Sequence, residues 1–477
     1  MNKYKLLALN TAIFAVGSFG AKIFSLLLNN LYTKHISPAD LYAKTMLETL
    51  VLFLLPVFTF SLTEAVVRFG LDKDYDNKQI FTTAGAFMLC GLLLMVPVVP
   101  LLHLVPLLRP ITGYSLLLFV YICTSALRGL CSQFVRARGM VKLFAIDGIF
   151  ATMTLFIFNV IFISELGLGV RGFMISVILS DTLSSVFLFL VAGLRRFVSK
   201  GAFSPALGRE MMKFTMPLVP TAVMWTFTGF SDQIFIGNMH SDRVFLGEDA
   251  AGIYSAAAKI PNLLSMLSTI FFQAWNMSAI TENDSADRDR FYEKVYSAYE
   301  SVLFLGSAAM ILFLRPVSAI LINYDNFPEY RTAYIYTPLL IAASVFTCLN
   351  LFLAGIYTAT RHTKNAFLTI LAIAAANIVL NLTLIPEWGI QGAALATFMS
   401  YLLCYCIRMI DARYYVPFKF SPLKTAANTA LMLIMCVPVI FEFRYCILWE
   451  VLLTAAVAAL NYRALLNTAM KLVRKER

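Results

Sequence analysis

Fourteen stretches of this chain are each long and apolar enough to cross a lipid bilayer, which leaves few folds open to it. A spanning helix needs about 20 predominantly apolar residues, because each rises about 1.5 Å and the hydrocarbon core is about 30 Å thick. The stretches fall at 7–32, 45–66, 80–105, 114–135, 143–163, 172–194, 214–237, 251–279, 296–322, 332–358, 365–385, 389–410, 425–441 and 446–468, and no water-soluble domain remains between them. Backbone polar groups must find partners inside the bilayer, so only helices and closed barrels span it. Runs such as Val302 to Leu314 are apolar or small throughout rather than alternating, which excludes barrel strands. The reading is an all-α polytopic membrane protein. The first stretch follows Lys3 and Lys5 as a signal peptide would, but its apolar part is too long for one and lacks a closing cleavage site. A retained helix is expected.

Positive charge gives the orientation. The ends and the even-numbered loops hold 27 of the 38 Lys and Arg. The opposite loops hold 7, namely Lys34, Lys44, Arg109, Arg171, Arg243, Arg331 and Arg444, and Lys22, Arg128, Lys259 and Arg315 lie inside segments. Cytoplasmic loops keep Lys and Arg, so both ends are expected in the cytoplasm, and the net charge of +11 reads as an orientation signal rather than a nucleic-acid surface. No nucleic-acid partner is expected. The eight cysteines all lie within or at the edge of apolar segments with no metal-type spacing, and read as small buried apolar residues; Cys404 and Cys406 point to different sides of one helix. His35, His103, His240 and His362 all sit near segment ends and read as interfacial. With no phosphate-cradling glycine loop, metal-ligand cluster or nucleophile elbow, neither a cofactor nor a catalytic site is expected.

The chain also repeats itself. Gly169-Val170-Arg171-Gly172, followed by Ser176 and Ser180, matches Gly389-Ile390-Gln391-Gly392, followed by Ala396 and Ser400. Asn159 to Ile163 matches Asn381 to Ile385, and Ile23-Phe24 more weakly matches Ile234-Phe235. This predicts an N-terminal six-helix lobe (1–194), a cytoplasmic connector (195–213) broken by Gly201, Pro205 and Gly208, a C-terminal six-helix lobe (214–410), and two extra helices with a basic tail (411–477). An even number of crossings makes the repeat parallel, and two such lobes can rock about a shared central cleft.

A lone ionised side chain at membrane depth costs at least about 2.5–3.5 kcal/mol, so each one present must face protein or water. Lys22, Glu48, Asp232, Lys259 and Arg315 fall in the outer half, Glu64, Arg128 and Asp147 in the inner half, and Asp181 near the middle. Glu300 and Glu450 lie near enough to segment ends to reach water. Arg128 and Asp147 share a depth on consecutive helices, which predicts an ion pair. Lys22 and Lys259, one from each lobe, can both face the cleft and attract an anionic substrate such as a lipid pyrophosphate; the alternative is that Lys22 neutralises Glu48 and Lys259 neutralises Asp232. Pro217, Pro220, Pro261, Pro316 and Pro338 are expected to kink their helices.

Ser231-Asp232-Gln233-Ile234-Phe235-Ile236-Gly237, a short loop, and then Ala251 through Lys259-Ile260-Pro261 resemble the helix 7–8 signature of bacterial polysaccharide-biosynthesis flippases. Glu64 to Phe69, Gln273-Ala274-Trp275 and Gly389 to Thr397 resemble the end of that family's second helix, the end of its eighth and the start of its twelfth. The resemblance implies an O-antigen or capsule repeat-unit flippase of the multidrug/oligosaccharidyl-lipid/polysaccharide exporter superfamily, in the bacterial cytoplasmic membrane and not an enzyme. It implies alternating access by which an undecaprenyl-pyrophosphate-linked oligosaccharide changes leaflet while its tail stays in the lipid, with glycosyltransferases and a polymerase of the same pathway as partners. Related lipid II flippases carry cavity cations on helices 1, 2 and 8, and Lys22, Arg68 and Lys259 occupy comparable helices here. Glu48, Asp181, Asp232, Arg128 and Arg315 are the further cavity or coupling candidates. Two alternatives stand beside this reading. One is a cation-coupled multidrug exporter of the same superfamily, which would use Asp181 and Asp232. The other is a membrane polymerase or glycosyltransferase, for which exterior connections of at most about 14 residues leave little room.

Overall fold

The computed structural model describes residue 24 and residues 27–72, 74–282, 285–360 and 362–473. Among these residues the regular structure is entirely helical, and ten helices are long and apolar enough to cross a bilayer. One of the ten, Lys364–Tyr415, carries two of the predicted segments in tandem. The protein is an all-α polytopic membrane protein. Its first predicted segment, with Lys22, lies largely outside the described residues. The chain divides into two compact units, one within Gly20–Ile234 and the other within Phe235–Arg477.

In the first unit, α1 (Pro38–Phe58) starts where Ser37 caps it, its side chain accepting from the Asp40 amide, with proline at the first helical position. It ends because Phe60 and Ser61 turn left-handed (φ 53° and 51°), so the single segment expected over 45–66 is two helices. The second, α2 (Leu62–Gly70), carries Glu64 and Arg68, both exposed. Next come α3 (Asn77–Met95), capped by Asp76, α4 (Ser115–Ala137), α5 (Val141–Asn159) and α6 (Gly169–Val191). The connector is not one helix: after short turns at Leu194–Phe197 and Lys200–Ala202, α7 (Pro205–Thr215) starts at Ser204. The apolar core of this unit lies at its basic end, where Leu62 and Val66 of α2, Phe81 of α3, Phe134 of α4, Leu188 of α6 and Met211 of α7 converge. Because α2 and α7 close this end against α3 and α4, the basic loops there are held by buried apolar area, at roughly 25 cal/mol per Å².

Helix α8 (Leu218–Asn238) carries the boundary between the units. The second unit holds α9 (Glu248–Ala257), α10 (Asn262–Glu282), α11 (Arg288–Leu312), α12 (Leu314–Leu321), α13 (Ala333–Ala359), α14 (Thr363–Tyr415), α15 (Pro422–Ile440) and α16 (Cys446–Val473). Its axis is α13, which packs on α9, α10, α11, α14 and α15. Trp275 of α10 locks that packing: it is fully buried, stacks on Phe352 at 4.2 Å, and donates its indole N–H to the Phe352 carbonyl at 3.1 Å. Gly355, one turn on, leaves the room the indole fills.

Several expectations need correcting. Glu300 and Glu450 do not reach water; each is 2% exposed. Glu300 is neutralised from α15, accepting from the Thr425 hydroxyl and lying 3.7 Å from the Lys424 ammonium. Glu450, in the second turn of α16, has no hydrogen-bond partner for either oxygen among the described residues. Cys90 and Cys406 are exposed, while Cys404 is buried, as opposite faces of one helix require.

Candidate functional site

Polar side chains of the first unit collect where α4, α5 and α6 pack together. Asp181 accepts from Arg128 Nη1 at 3.1 Å and from the Ser125 hydroxyl. Arg128 Nε donates to Ser184 Oγ at 3.1 Å, and Ser184 donates in turn to Asp147 Oδ1 at 2.5 Å. The expected Arg128–Asp147 pair is therefore wrong: the direct partner is Asp181, and Asp147 reaches the guanidinium only through Ser184. Depth along the chain gives the level of a residue but not the direction it faces, and α4 packs closely on α6. With Asp181 only 6% exposed, the pair is a low-dielectric one in which each charge depends on the other.

A segment boundary at residue 45 leaves Lys44 in an exterior loop. It lies instead in the second turn of α1, 2% exposed, with its ammonium 2.8 Å from Glu48 Oε1 and 4.3 and 4.5 Å from the ring centres of Tyr32 and Phe173. The two rings and the carboxylate replace the water a buried ammonium loses. Glu48 thus pairs with Lys44, a partner legible in the i, i+4 spacing and in the Ser37-Pro38 helix start. Lys22, the expected partner, lies outside the described residues. Arg68 is solvated, its side chain 63% exposed and 3.8 Å from Asp72.

In the second unit, Lys259 sits in a break. The segment expected as one helix over 251–279 stops at Ala257 and restarts at Asn262, because Pro261 has no N–H to continue the ladder. Lys259 is half-buried there, with no acidic partner at ion-pair distance among the described residues of its own unit. Asp232, on α8, is buried at 6%. Arg315 is exposed at the start of α12, its guanidinium 5.7 Å from the Tyr334 ring centre.

A residue missed from the sequence is Arg408. It is 2% exposed on α14 and donates from Nε to Thr369 Oγ1 at 2.9 Å, from Nη1 to the Asn350 carbonyl at 2.9 Å, and from Nη2 to the Ala366 carbonyl at 3.2 Å.

The two polar clusters are versions of each other. The offset relating Asn159 to Asn381 also relates Arg128 to Asn350 and Asp147 to Thr369, and the offset of the glycine motif relates Asp181 to Tyr401. Where Arg128 bonds Asp181, Asn350 Nδ2 donates to the Tyr401 carbonyl at 2.9 Å. Gly169 and Gly389 are both left-handed, with φ of 52° and 58°. A Cβ on Gly172 would lie 2.8 Å from the Phe162 carbonyl oxygen, and one on Gly392 2.2 Å from that of Leu384, the matching residue. The sequence repeat is thus repeated in backbone geometry and in the placement of polar groups.

The sequence profile of a family described as polysaccharide biosynthesis protein matches residues 7–276. Among solved structures, the lipid II flippase MurJ in an inward closed conformation aligns with a TM-score of 0.71 at 15% identity, covering 95% of this chain and all (100%) of that one. A multidrug resistance MATE family transporter of the MOP superfamily aligns in its inward-facing conformation with a TM-score of 0.67 at 14% identity, covering 86% of this chain and 96% of that one. An outward-facing structure of such a transporter aligns with a TM-score of 0.59 at 14% identity, covering 90% and 97%. At these identities the likeness concerns the fold. No curated protein matches the chain.

Proposed function

Because the chain belongs to the polysaccharide biosynthesis protein family, we propose that it is a flippase moving an undecaprenyl-pyrophosphate-linked oligosaccharide between leaflets of the bacterial cytoplasmic membrane by alternating access. The observation that carries this reading is the family match, joined to a fold shared with a lipid II flippase. In this reading both chain ends are cytoplasmic, the two repeats act as six-helix lobes about a cleft, and the sugar crosses within it while the lipid tail stays in the bilayer. Lys259 suits a pyrophosphate: a half-buried ammonium at a helix break, with no ion-paired carboxylate among the described residues of its own unit. Lys22 is its proposed counterpart in the other lobe, and Arg68, solvated at the basic end, is a guide for the arriving headgroup. Enzymes that build and polymerise the oligosaccharide are the proposed pathway partners; the protein itself transports rather than catalyses.

The multidrug exporter reading asks for carboxylates free to take up and release a cation. Asp181 is already committed to Arg128 and Ser125, which favours the flippase.

Lys22→Ala or Lys259→Ala, at normal membrane abundance, is expected to abolish export of surface polysaccharide. Lys259→Arg is expected to retain part of it, since charge rather than ammonium shape attracts the pyrophosphate. Unchanged export in either alanine variant would remove that residue's role.

A further inference from the structure

At the basic end of the first unit two arginines share one ring. Arg138 directly follows α4, and Arg196 lies in the short turn at Leu194–Phe197, to which left-handed Gly193 (φ 60°) redirects the chain after α6. Their guanidinium carbons stand 4.6 and 5.2 Å from the ring centre of Phe197. That ring is itself buried and packs on Phe134 at 5.2 Å.

The platform is built rather than loose. Thr82 of α3 donates to the Phe197 carbonyl at 2.7 Å and accepts from the Ser199 amide at 3.2 Å, and Thr83 accepts from the Ser204 amide at 3.1 Å. Two like charges are therefore held together by the fold. Burial, and then Arg196, lower the Arg138 pKa from its ordinary value, and Arg138 Nη1 is buried without a hydrogen-bond partner among the described residues. Three acids of this unit have partners of their own: Asp72 with Arg68, Glu210 with the Tyr75 hydroxyl, and Asp76 as the cap of α3.

We propose that Arg138 and Arg196 form a binding site for a phosphate group, supplied by the headgroup of an anionic phospholipid. Two guanidinium groups gathered at one aromatic ring offer forked donors for a phosphate's oxygens, and an anion bound by both relieves the repulsion that the fold imposes. The lipid is the favoured source because the platform lies at the ends of spanning helices, the level at which headgroups lie, on the face that is cytoplasmic in the proposed orientation.

The test uses the full chain in nanodiscs of phosphatidylcholine alone or with phosphatidylglycerol. It reads the thermal unfolding midpoint as phosphatidylglycerol is raised, and the anionic lipid retained in native mass spectra. The wild type is expected to be stabilised by phosphatidylglycerol, and Arg138→Gln and Arg196→Gln each to weaken that apparent affinity about fivefold. Arg413→Gln, which removes the same charge from a guanidinium 5.1 Å from the ring centre of Phe420 in the other unit, is expected to behave as wild type. Inorganic phosphate added to phosphatidylcholine discs separates the sources: no stabilisation is expected, and stabilisation lost in both arginine variants would overturn the lipid as occupant. Equal phosphatidylglycerol response in the wild type, Arg138→Gln and Arg196→Gln would overturn the site itself.

Discussion

Gly392→Ala is expected to destabilise the protein by about 3 kcal/mol, or to prevent its accumulation in the membrane. The added methyl would lie 2.2 Å from the Leu384 carbonyl oxygen and 2.6 Å from its carbon, and the obstruction is backbone, which cannot rotate aside. The two halves of α14 meet through left-handed Gly389, so the carbonyl cannot withdraw without opening that junction. Small residues serve in membrane helices for this purpose, letting backbones approach where lipid offers no hydrophobic drive to association. The repeat supplies an internal control. At Gly172 the same methyl would meet the Phe162 oxygen at 2.8 Å, so Gly172→Ala is expected to cost less, about 1–2 kcal/mol. Membrane abundance and the thermal unfolding midpoint of purified protein check both; a Gly392→Ala variant as stable as wild type would show that the junction is not closely packed.

Asp181→Ala is expected to cost about 2–3 kcal/mol, below the usual loss for breaking a fully buried pair because the Arg128 side chain keeps 33% exposure. The carboxylate is the more buried partner, and its removal strands Arg128 with the Ser184 hydroxyl alone. Combining Asp181→Leu with Arg128→Met removes both charges and is expected to lose less than Asp181→Ala does, since neither charge is then left unpaired. Unfolding midpoints of Asp181→Leu, Arg128→Met and the double variant measure this coupling. Strict additivity would mean that the pair seen here does not hold α4 to α6.

Hydropathy made the spanning elements legible because about 20 apolar residues in a row admit one structure in lipid. It could not place their breaks. The left-handed pair Phe60-Ser61 has no glycine to announce it, whereas Pro261 and Gly389 did mark interruptions in the sequence. The repeat was legible from its glycines, since a left-handed turn and a close backbone approach both require that residue.

Charge was harder to read. Lys44 and Arg408 each lie at a segment end, where position along the chain favours a loop, yet both are buried: Lys44 beside Glu48 one turn on, Arg408 among partners that sequence distance hides. For Arg408 the partners come from α13 and from earlier on α14, some 39 to 58 residues away. The repeat itself held the missing signal, because Asn350 and Thr369 stand at the positions of Arg128 and Asp147.

The central claim concerns movement of a lipid-linked sugar, and reconstitution tests it most directly. Purified protein is placed in liposomes carrying an undecaprenyl-pyrophosphate-linked oligosaccharide, and the fraction of sugar accessible to an external glycan-modifying enzyme is followed over time. The account predicts that accessibility rises beyond the outer-leaflet share with the wild type and stays at that share with Lys259→Ala. A wild-type protein, folded and correctly inserted, that leaves the inner-leaflet sugar inaccessible would contradict it.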